Sequence, residues 1–249
     1  MSSQSHNLKI LSKSVETEDH SFFLAEIFNS IQGEGELCGV PSVFIRYSGC
    51  NLRCRWCDTP YTSWSPEGRA WSLDEILAHI TDSSIRHAVV TGGEPFIFNN
   101  LGRLTETLSK YGFHVTVETA GTIFVAIHCD LLSLSPKLSN STPDSESDRN
   151  AAAHDTRRIN FNALQAFVSG YEYQLKFVIE SPEDVDETEN LLEKLELNIP
   201  PQKVLMMPQA RTREEIDSRS EWLEPICVEK GFRFCPRLHI ELFGDKRGT

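Results

Sequence analysis

The chain lacks any apolar run long enough to span a bilayer, and its opening stretch, Met1 to His20, is polar and rich in serine and charge. Neither a secretory signal nor a membrane anchor is expected from such a pattern. Basic charge is also in deficit, with 24 Lys and Arg against 36 Asp and Glu, a formal net charge of −12. A general nucleic-acid-binding surface is therefore not expected, although a local basic pocket for a small anion remains open. There is no internal repeat. The seven cysteines are an odd number in a chain of 249 residues, long enough to build its own core without staples. A reducing, cytoplasmic compartment is the natural reading, and there such cysteines bind metal or take part in catalysis more often than they pair.

Three of those cysteines stand together, Cys50, Cys54 and Cys57, in the spacing C-x3-C-x2-C. Three thiolates do not complete a tetrahedral zinc site, which needs a fourth ligand from elsewhere. They can hold three irons of a [4Fe–4S] cluster and leave the fourth iron open to a small molecule. An open iron is what reductive cleavage of S-adenosylmethionine (SAM) requires. On spacing alone, zinc with a distant ligand, a disulfide pair and simple buried thiols stay as alternatives. Cys38, Cys129, Cys227 and Cys235 lack ligand spacing and read as small buried hydrophobes.

Along the chain, residues 1–21 read as a flexible tail and 22–249 as one domain. Short apolar runs at Leu24–Phe28, Ser42–Tyr47, His87–Thr91, His114–Glu118, Leu131–Ser135, Gln174–Ile179, Lys203–Met207 and Phe232–Cys235 predict strands. Helical patterns cover Ser72–Thr81, Asn100–Tyr111, Asn162–Ser169, Pro182–Leu197 and Thr212–Lys230. Ser72 and Glu75 form a capping-box pattern, and Ser181 before Pro182 suits an N-cap. Strands alternating with helices indicate parallel units, and we expect an α/β fold, an incomplete TIM-like β/α barrel. Leu138–Asn160 is rich in Ser, Asp and Arg without apolar periodicity, and reads as a mobile insertion.

In such folds the site forms at the carboxyl ends of the strands. Thr91-Gly92-Gly93-Glu94-Pro95 ends an apolar strand there, and its glycines permit close approach of a ligand to backbone. Arg46, inside the apolar run Phe44–Tyr47, is either an outward strand residue or a guanidinium held for a carboxylate or phosphate. Asp58 and Thr59 offer oxygens to a hard cation, or simply make a turn and cap. Gln32-Gly33-Glu34-Gly35 is an ordinary loop or a reader of a guanine-like edge. Glu118, Thr119, Ser133, Ser135 and Lys137 sit at strand tips where a ribose could bind, and Gln209 follows another tip.

Taken together these motifs resemble the radical SAM superfamily. More finely, Ser30–Gly35, Arg46, Gly49–Asn51, Trp56–Thr59, Thr91–Pro95, Glu118–Gly121, Ser133–Lys137 and the His239 segment resemble the 7-carboxy-7-deazaguanine synthases of queuosine biosynthesis. The resemblance runs from about Phe22 to Thr249. It implies a lyase that contracts 6-carboxy-5,6,7,8-tetrahydropterin to 7-carboxy-7-deazaguanine with loss of ammonia, using a [4Fe–4S] cluster, SAM and Mg²⁺. It further implies a homodimer served by a flavodoxin or ferredoxin-like electron donor. Carried onto this sequence, Cys50, Cys54 and Cys57 hold the cluster and Thr59 the Mg²⁺. Trp56, Cys57, Asp58, Gly93, Ser135, Pro136, Lys137 and Gln209 are implied SAM contacts. Ile31, Gln32, Gly33, Arg46, Thr91, His239 and Thr249 are implied substrate contacts. A glycyl-radical activase shares the cysteine spacing and stands as the alternative enzyme. A non-catalytic zinc or iron–sulfur module is the alternative outside enzymes.

Overall fold

The computed structural model describes residues 21–81, 84–144 and 149–249. The tail expected before the first strand lies outside the described residues up to 20, and Ser21 already belongs to that strand. Among the described residues one sheet carries nine strands: β1 (Ser21–Ile31), β2 (Pro41–Tyr47), β3 (Arg69–Ser72), β4 (His87–Gly92), β5 (His114–Thr119), β6 (Leu131–Leu134), β7 (Tyr173–Ile179), β8 (Val204–Pro208) and β9 (Arg233–Phe234). Their order is β3-β1-β2-β4-β5-β6-β7-β8-β9, an open row. From β2 to β9 every pairing is parallel. This is the expected partial barrel.

Two strands depart from the parallel pattern. β1 runs antiparallel to β2, because residues 32–40 are too few for a crossover and close as a hairpin instead. Gln32 N–H donates to the Val40 carbonyl at 2.8 Å, and Gly39 N–H returns the bond to Gln32 at 2.8 Å. β3 was not foreseen: its four residues are mostly exposed and carry no alternation, and only pairing with β1 defines it. Three helices also escaped the sequence patterns, α1 (Pro60–Ser63), α4 (Ala151–Arg157) and α8 (Leu238–Phe243), all too short for helical periodicity to register.

The two helices with a predicted cap, at Ser72 and at Ser181, begin there. Ser72 caps α2 (Leu73–Ile80), with Glu75 N–H donating to its hydroxyl at 3.2 Å and its own N–H donating to Glu75 at 2.7 Å. α3 (Leu101–Lys110), α5 (Phe161–Gly170), α6 (Pro182–Lys194) and α7 (Arg213–Lys230) follow. β4 and β7 are buried almost throughout, because helices flank the parallel sheet. Val90, Val117, Leu134 and Phe177 meet Leu104, Leu108, Leu164 and Phe167 in one continuous core. Each such side chain contributes about 1.5–3 kcal/mol by leaving water. Among the described residues no helix is long and apolar enough to cross a membrane.

Candidate active site

The cysteine loop joins β2 to α1, at the carboxyl edge of the sheet. Its three thiols are unpaired; Cys54 is buried, while Cys50 and Cys57 are partly open. Burial pushes the Cys50 thiol up to about 11 and Cys54 to about 12, each relieved somewhat by the charge of Lys137. Leu52 N–H points at Cys50 Sγ at 3.4 Å, and Cys57 Sγ lies 3.2 Å from the Ser63 hydroxyl. Thiols raised this far give up their protons to a metal rather than to water. Among the described residues no three Cys, His, Asp or Glu side chains converge on a single ion position. A cluster asks for something else, one sulfur per iron around a shared pocket.

Gly92 and Gly93 bring β4 hard against this loop. Gly92 has φ +138°, and a β-carbon on it would stand 2.6 Å from Tyr47 N. A β-carbon on Gly93 would overlap the Gly49 carbonyl and stand 2.8 Å from Cys50 Cβ. Glu94 N–H donates to Gly49 O at 2.9 Å. The Glu94 carboxylate turns inward, accepting from Thr119 Oγ1 at 2.7 Å and Ala120 N–H at 2.9 Å. Burial raises its pKa. Glu94 thus ties the glycine turn to the tip of β5.

A cavity of about 450 Å³ opens over the carboxyl ends of the strands. Cys50, Cys54, Cys57, Trp56, Gly93, Ser135 and Lys137 are among the residues that line it. Lys137 Nζ donates to Ser135 O at 2.7 Å and to Ser135 Oγ at 2.8 Å. Pro136 and Gln209 are not among the residues lining it; Gln209 N–H instead extends the β7–β8 edge by donating to Ile179 O at 2.8 Å. Thr59 reaches the wall at the N-cap of α1 without making a side-chain cap bond, so its hydroxyl is free of that duty.

Ile31, Gln32, Gly33, Arg46, Thr91 and His239 also line the cavity. Glu118 sits among them, accepting from Gln32 Nε2 at 3.2 Å and from Thr91 Oγ1 at 2.8 Å. Arg46 gives its Nε to Glu26 at 2.9 Å. Gly33 lies flat on the His239 ring: a β-carbon there would stand 2.7 Å from its Cγ. Thr249 lines the rim, in a segment pinned by Arg247 to Glu26 at 3.1 Å and to Glu67 at 2.8 Å. Arg247 also covers the Tyr61 ring at 3.9 Å.

A charge network joins further residues of the lining. Glu34 is paired with Lys176 and with Arg237 Nε at 3.2 Å, and Arg237 NH2 holds Asp58 Oδ2 at 2.7 Å. Burial alone would raise the Glu34 pKa, but Lys176, Arg237 and His239 together hold it far below the usual carboxylate range. The Asp58 carboxyl, half exposed at the cavity, is lowered by the Arg237 guanidinium it is paired with. His239 is lowered, chiefly by burial. Sequence reasoning passed over Lys176 and Arg237. The clue for Lys176 was available: a lysine inside Leu175–Ile179 is as costly as Arg46 in its own strand. Arg237 had no such signal, since it lies in an exposed-looking run before a helix too short to recognise.

The residues present fit three groups. The three unpaired thiols lining one cavity suit a [4Fe–4S] cluster. The close glycine turn beside them, with Trp56, Asp58, Ser135 and Lys137, presents backbone, ring and charge suited to an amino-acid nucleoside such as SAM. The Thr59 hydroxyl, which makes no cap bond and lies 3.8 Å from Cys57 Sγ, and the neighbouring Asp58 carboxylate are oxygens that suit a hard cation that keeps most of its waters.

The profile of the radical SAM superfamily matches residues 44–161. A Rhodopirellula baltica protein named 7-carboxy-7-deazaguanine synthase is 44 % identical over 233 residues, 93 % of this chain and 90 % of that one. A Halobacterium salinarum protein of the same name is 43 % identical, over 90 % of this chain and 91 % of that one. Among solved structures, QueE from Escherichia coli shares the fold with a TM-score of 0.66 at 25 % identity, covering 95 % of this chain and 100 % of that one.

Proposed function

The chain belongs to the 7-carboxy-7-deazaguanine synthase family of radical SAM enzymes, and from that premise we propose how its residues divide the work. The reaction is the ring contraction of 6-carboxy-5,6,7,8-tetrahydropterin to 7-carboxy-7-deazaguanine with release of ammonia, in 7-deazapurine (queuosine) biosynthesis. In class it is a carbon–nitrogen lyase. A [4Fe–4S] cluster and SAM, when bound, would supply the one-electron chemistry needed to remove a hydrogen atom from carbon.

Cys50, Cys54 and Cys57 hold the cluster. Trp56, Asp58, Gly93, Ser135 and Lys137 lie along SAM, with Pro136 and Gln209 further out. Thr59 would hold Mg²⁺, which would supply positive charge for the substrate carboxylate. Gln32 and Glu118 read the amino-pyrimidine edge of the pterin: an amide and a carboxylate 3.2 Å apart match its donors and acceptors. Arg46, anchored through Nε, keeps its terminal nitrogens for an anionic or carbonyl oxygen. Ile31 and Gly33 press on one face of the ring, Thr91 lies at its reactive end, and His239 and Thr249 close the rim. His239 is kept neutral by burial, so it offers a hydrogen bond rather than a charge. These contacts hold the reacting carbon in near-attack position and exclude water, which is what a hydrogen-atom transfer needs from a protein. An electron donor of the flavodoxin or ferredoxin type completes the system, and the working unit is a homodimer.

The observation that carries this reading is that one cavity is lined both by the three thiols with the glycine turn and by the Gln32–Glu118–Thr91 cluster. The test is an anaerobic assay of reconstituted protein with SAM, dithionite, Mg²⁺ and 6-carboxytetrahydropterin, read by mass. A deazaguanine carboxylate supports it. 5′-Deoxyadenosine without that product leaves SAM cleavage intact and overturns the substrate assignment, the result a glycyl-radical activase would give.

A further inference from the structure

The segment 138–160 carries no apolar pattern and looks dispensable in the sequence. Its described residues nevertheless touch the cysteine loop between every pair of ligands. Arg157 NH1 reaches Asn51 O at 3.4 Å, between Cys50 and Cys54. Arg53 N–H, also between them, donates to His154 Nδ1 at 3.0 Å. Between Cys54 and Cys57, Arg55 N–H donates to Ser141 O at 2.9 Å, and the Trp56 indole N–H donates to Asn140 O at 3.0 Å.

His154 links these contacts. It is 1 % exposed on α4, and both ring nitrogens are used. A backbone N–H can only donate, so Nδ1 accepts from Arg53 and the ring hydrogen sits on Nε2. Nε2 then donates to Ser141 Oγ at 3.0 Å, whose own hydrogen goes to Leu138 O at 2.6 Å. Donors and acceptors run in one direction, from the amide before Cys54 to the residue whose carbonyl holds the amide after it. The two backbone groups flanking Cys54 are thereby fixed by one imidazole.

We propose that His154 is a positioning residue of the cluster site, holding the backbone on both sides of Cys54 through Arg53 N–H and Ser141. Metal centres commonly depend on such outer partners, whose loss costs about 10–100-fold in metal retention. The inference rests on the reading of Cys50, Cys54 and Cys57 as cluster ligands.

The test uses two near-isosteres that separate the nitrogens. His154→Asn keeps an acceptor where Nδ1 lies; His154→Gln keeps a donor where Nε2 lies and withdraws the acceptor from Arg53. Each full-length protein is reconstituted anaerobically, and cluster lifetime under an iron chelator is followed together with the electron paramagnetic resonance spectrum of the reduced cluster. We expect His154→Gln to shorten the lifetime about tenfold or more and to broaden the spectrum, and His154→Asn to restore most of both. Equal lifetimes and spectra for wild type and His154→Gln would overturn the inference, even if the variant melts earlier. Should His154→Gln not fold, Ser141→Ala carries the same test from the other end of the relay, and an unchanged lifetime there overturns it. A wild-type protein that takes up no four-iron cluster overturns the cluster reading itself, a result distinct from either.

Discussion

Gly93 and Gly49 lie so close that no carbon fits between them, since a β-carbon on Gly93 would overlap the Gly49 carbonyl oxygen. The glycine turn after β4 and the loop that presents Cys50 are thus one packed unit. Gly93→Ala must push the cysteine loop away, at a cost of about 1–3 kcal/mol for overpacking. The expected outcome is a folded protein with lowered Tm and fewer irons per chain after reconstitution. Wild-type iron content would show that the two loops move independently.

Cys54 is the most enclosed of the three thiols, and its bonds to Trp64 and Cys57 run through its backbone carbonyl rather than its sulfur. Cys54→Ala should fold, lose the brown colour and the four-iron absorbance, and cleave no SAM. Iron and sulfide analysis beside a 5′-deoxyadenosine assay checks this. Full iron loading with normal turnover would remove Cys54 from the ligand set.

Thr59 offers the cavity a hydroxyl that caps nothing. Thr59→Ala should keep the cluster and raise the Mg²⁺ concentration for half-maximal rate by about tenfold. An unchanged Mg²⁺ response, with the cluster intact, would exclude Thr59 as a ligand.

The architecture was legible because helix and strand periods are carried by many residues at once. Val89 and Val90 in β4, or Leu104 and Leu108 in α3, repeat a pattern that one odd neighbour cannot hide. β3 and α8 were not legible, since four or six residues hold less than two periods of anything. The site divides the same way. Motif residues such as Cys57 and Gly93 announce themselves by spacing, and the structure gathers them at one cavity. Arg237 and His154 act through partners 203 and 101 residues away, Glu34 and Arg53, so no local pattern can reveal them. The described part of 138–160 folds as α4 and a short turn for the same reason: its order comes from the cysteine loop it covers rather than from an apolar face of its own.

Arg237 is 6 % exposed and joins Glu34 to Asp58. Removing one member of a buried ion pair leaves its partner uncompensated, at a cost of about 3–5 kcal/mol, which here falls on Glu34 because Asp58 is half exposed and screened by water. Lys176 still faces Glu34, so Arg237→Met should fall at the lower end. In the double variant Glu34→Gln with Arg237→Met, part of the loss should return, and urea unfolding of all four species measures the coupling. Strict additivity would mean that the pair does not interact.

His87 makes the acid limb of stability testable away from the site. It is 5 % exposed between Ser42 Oγ, 2.7 Å from Nδ1, and Thr116 Oγ1, 2.8 Å from Nε2. Ser42 spends its hydrogen on Val40 O, so Nδ1 donates and Nε2 accepts, an arrangement that suits the neutral ring. Burial first, and then the neighbouring His114, push its pKa down to about 4, against the weaker opposite pull of Glu118 and Asp130. In the unfolded chain the ring binds its proton near pH 6.5. Between those values the unfolded state carries the extra proton, so stability is full above about pH 6.5 and is lost as pH falls toward 4. One proton corresponds to about 1.4 kcal/mol per pH unit. His87→Gln should therefore be less stable at pH 7.5 yet lose less on acidification, flattening the slope of unfolding free energy between pH 6.5 and 4.5 by about that amount. Parallel slopes for the two proteins would show that His87 is protonated in the folded state, and that the Ser42–His87–Thr116 bridge is not the reason this sheet weakens in acid.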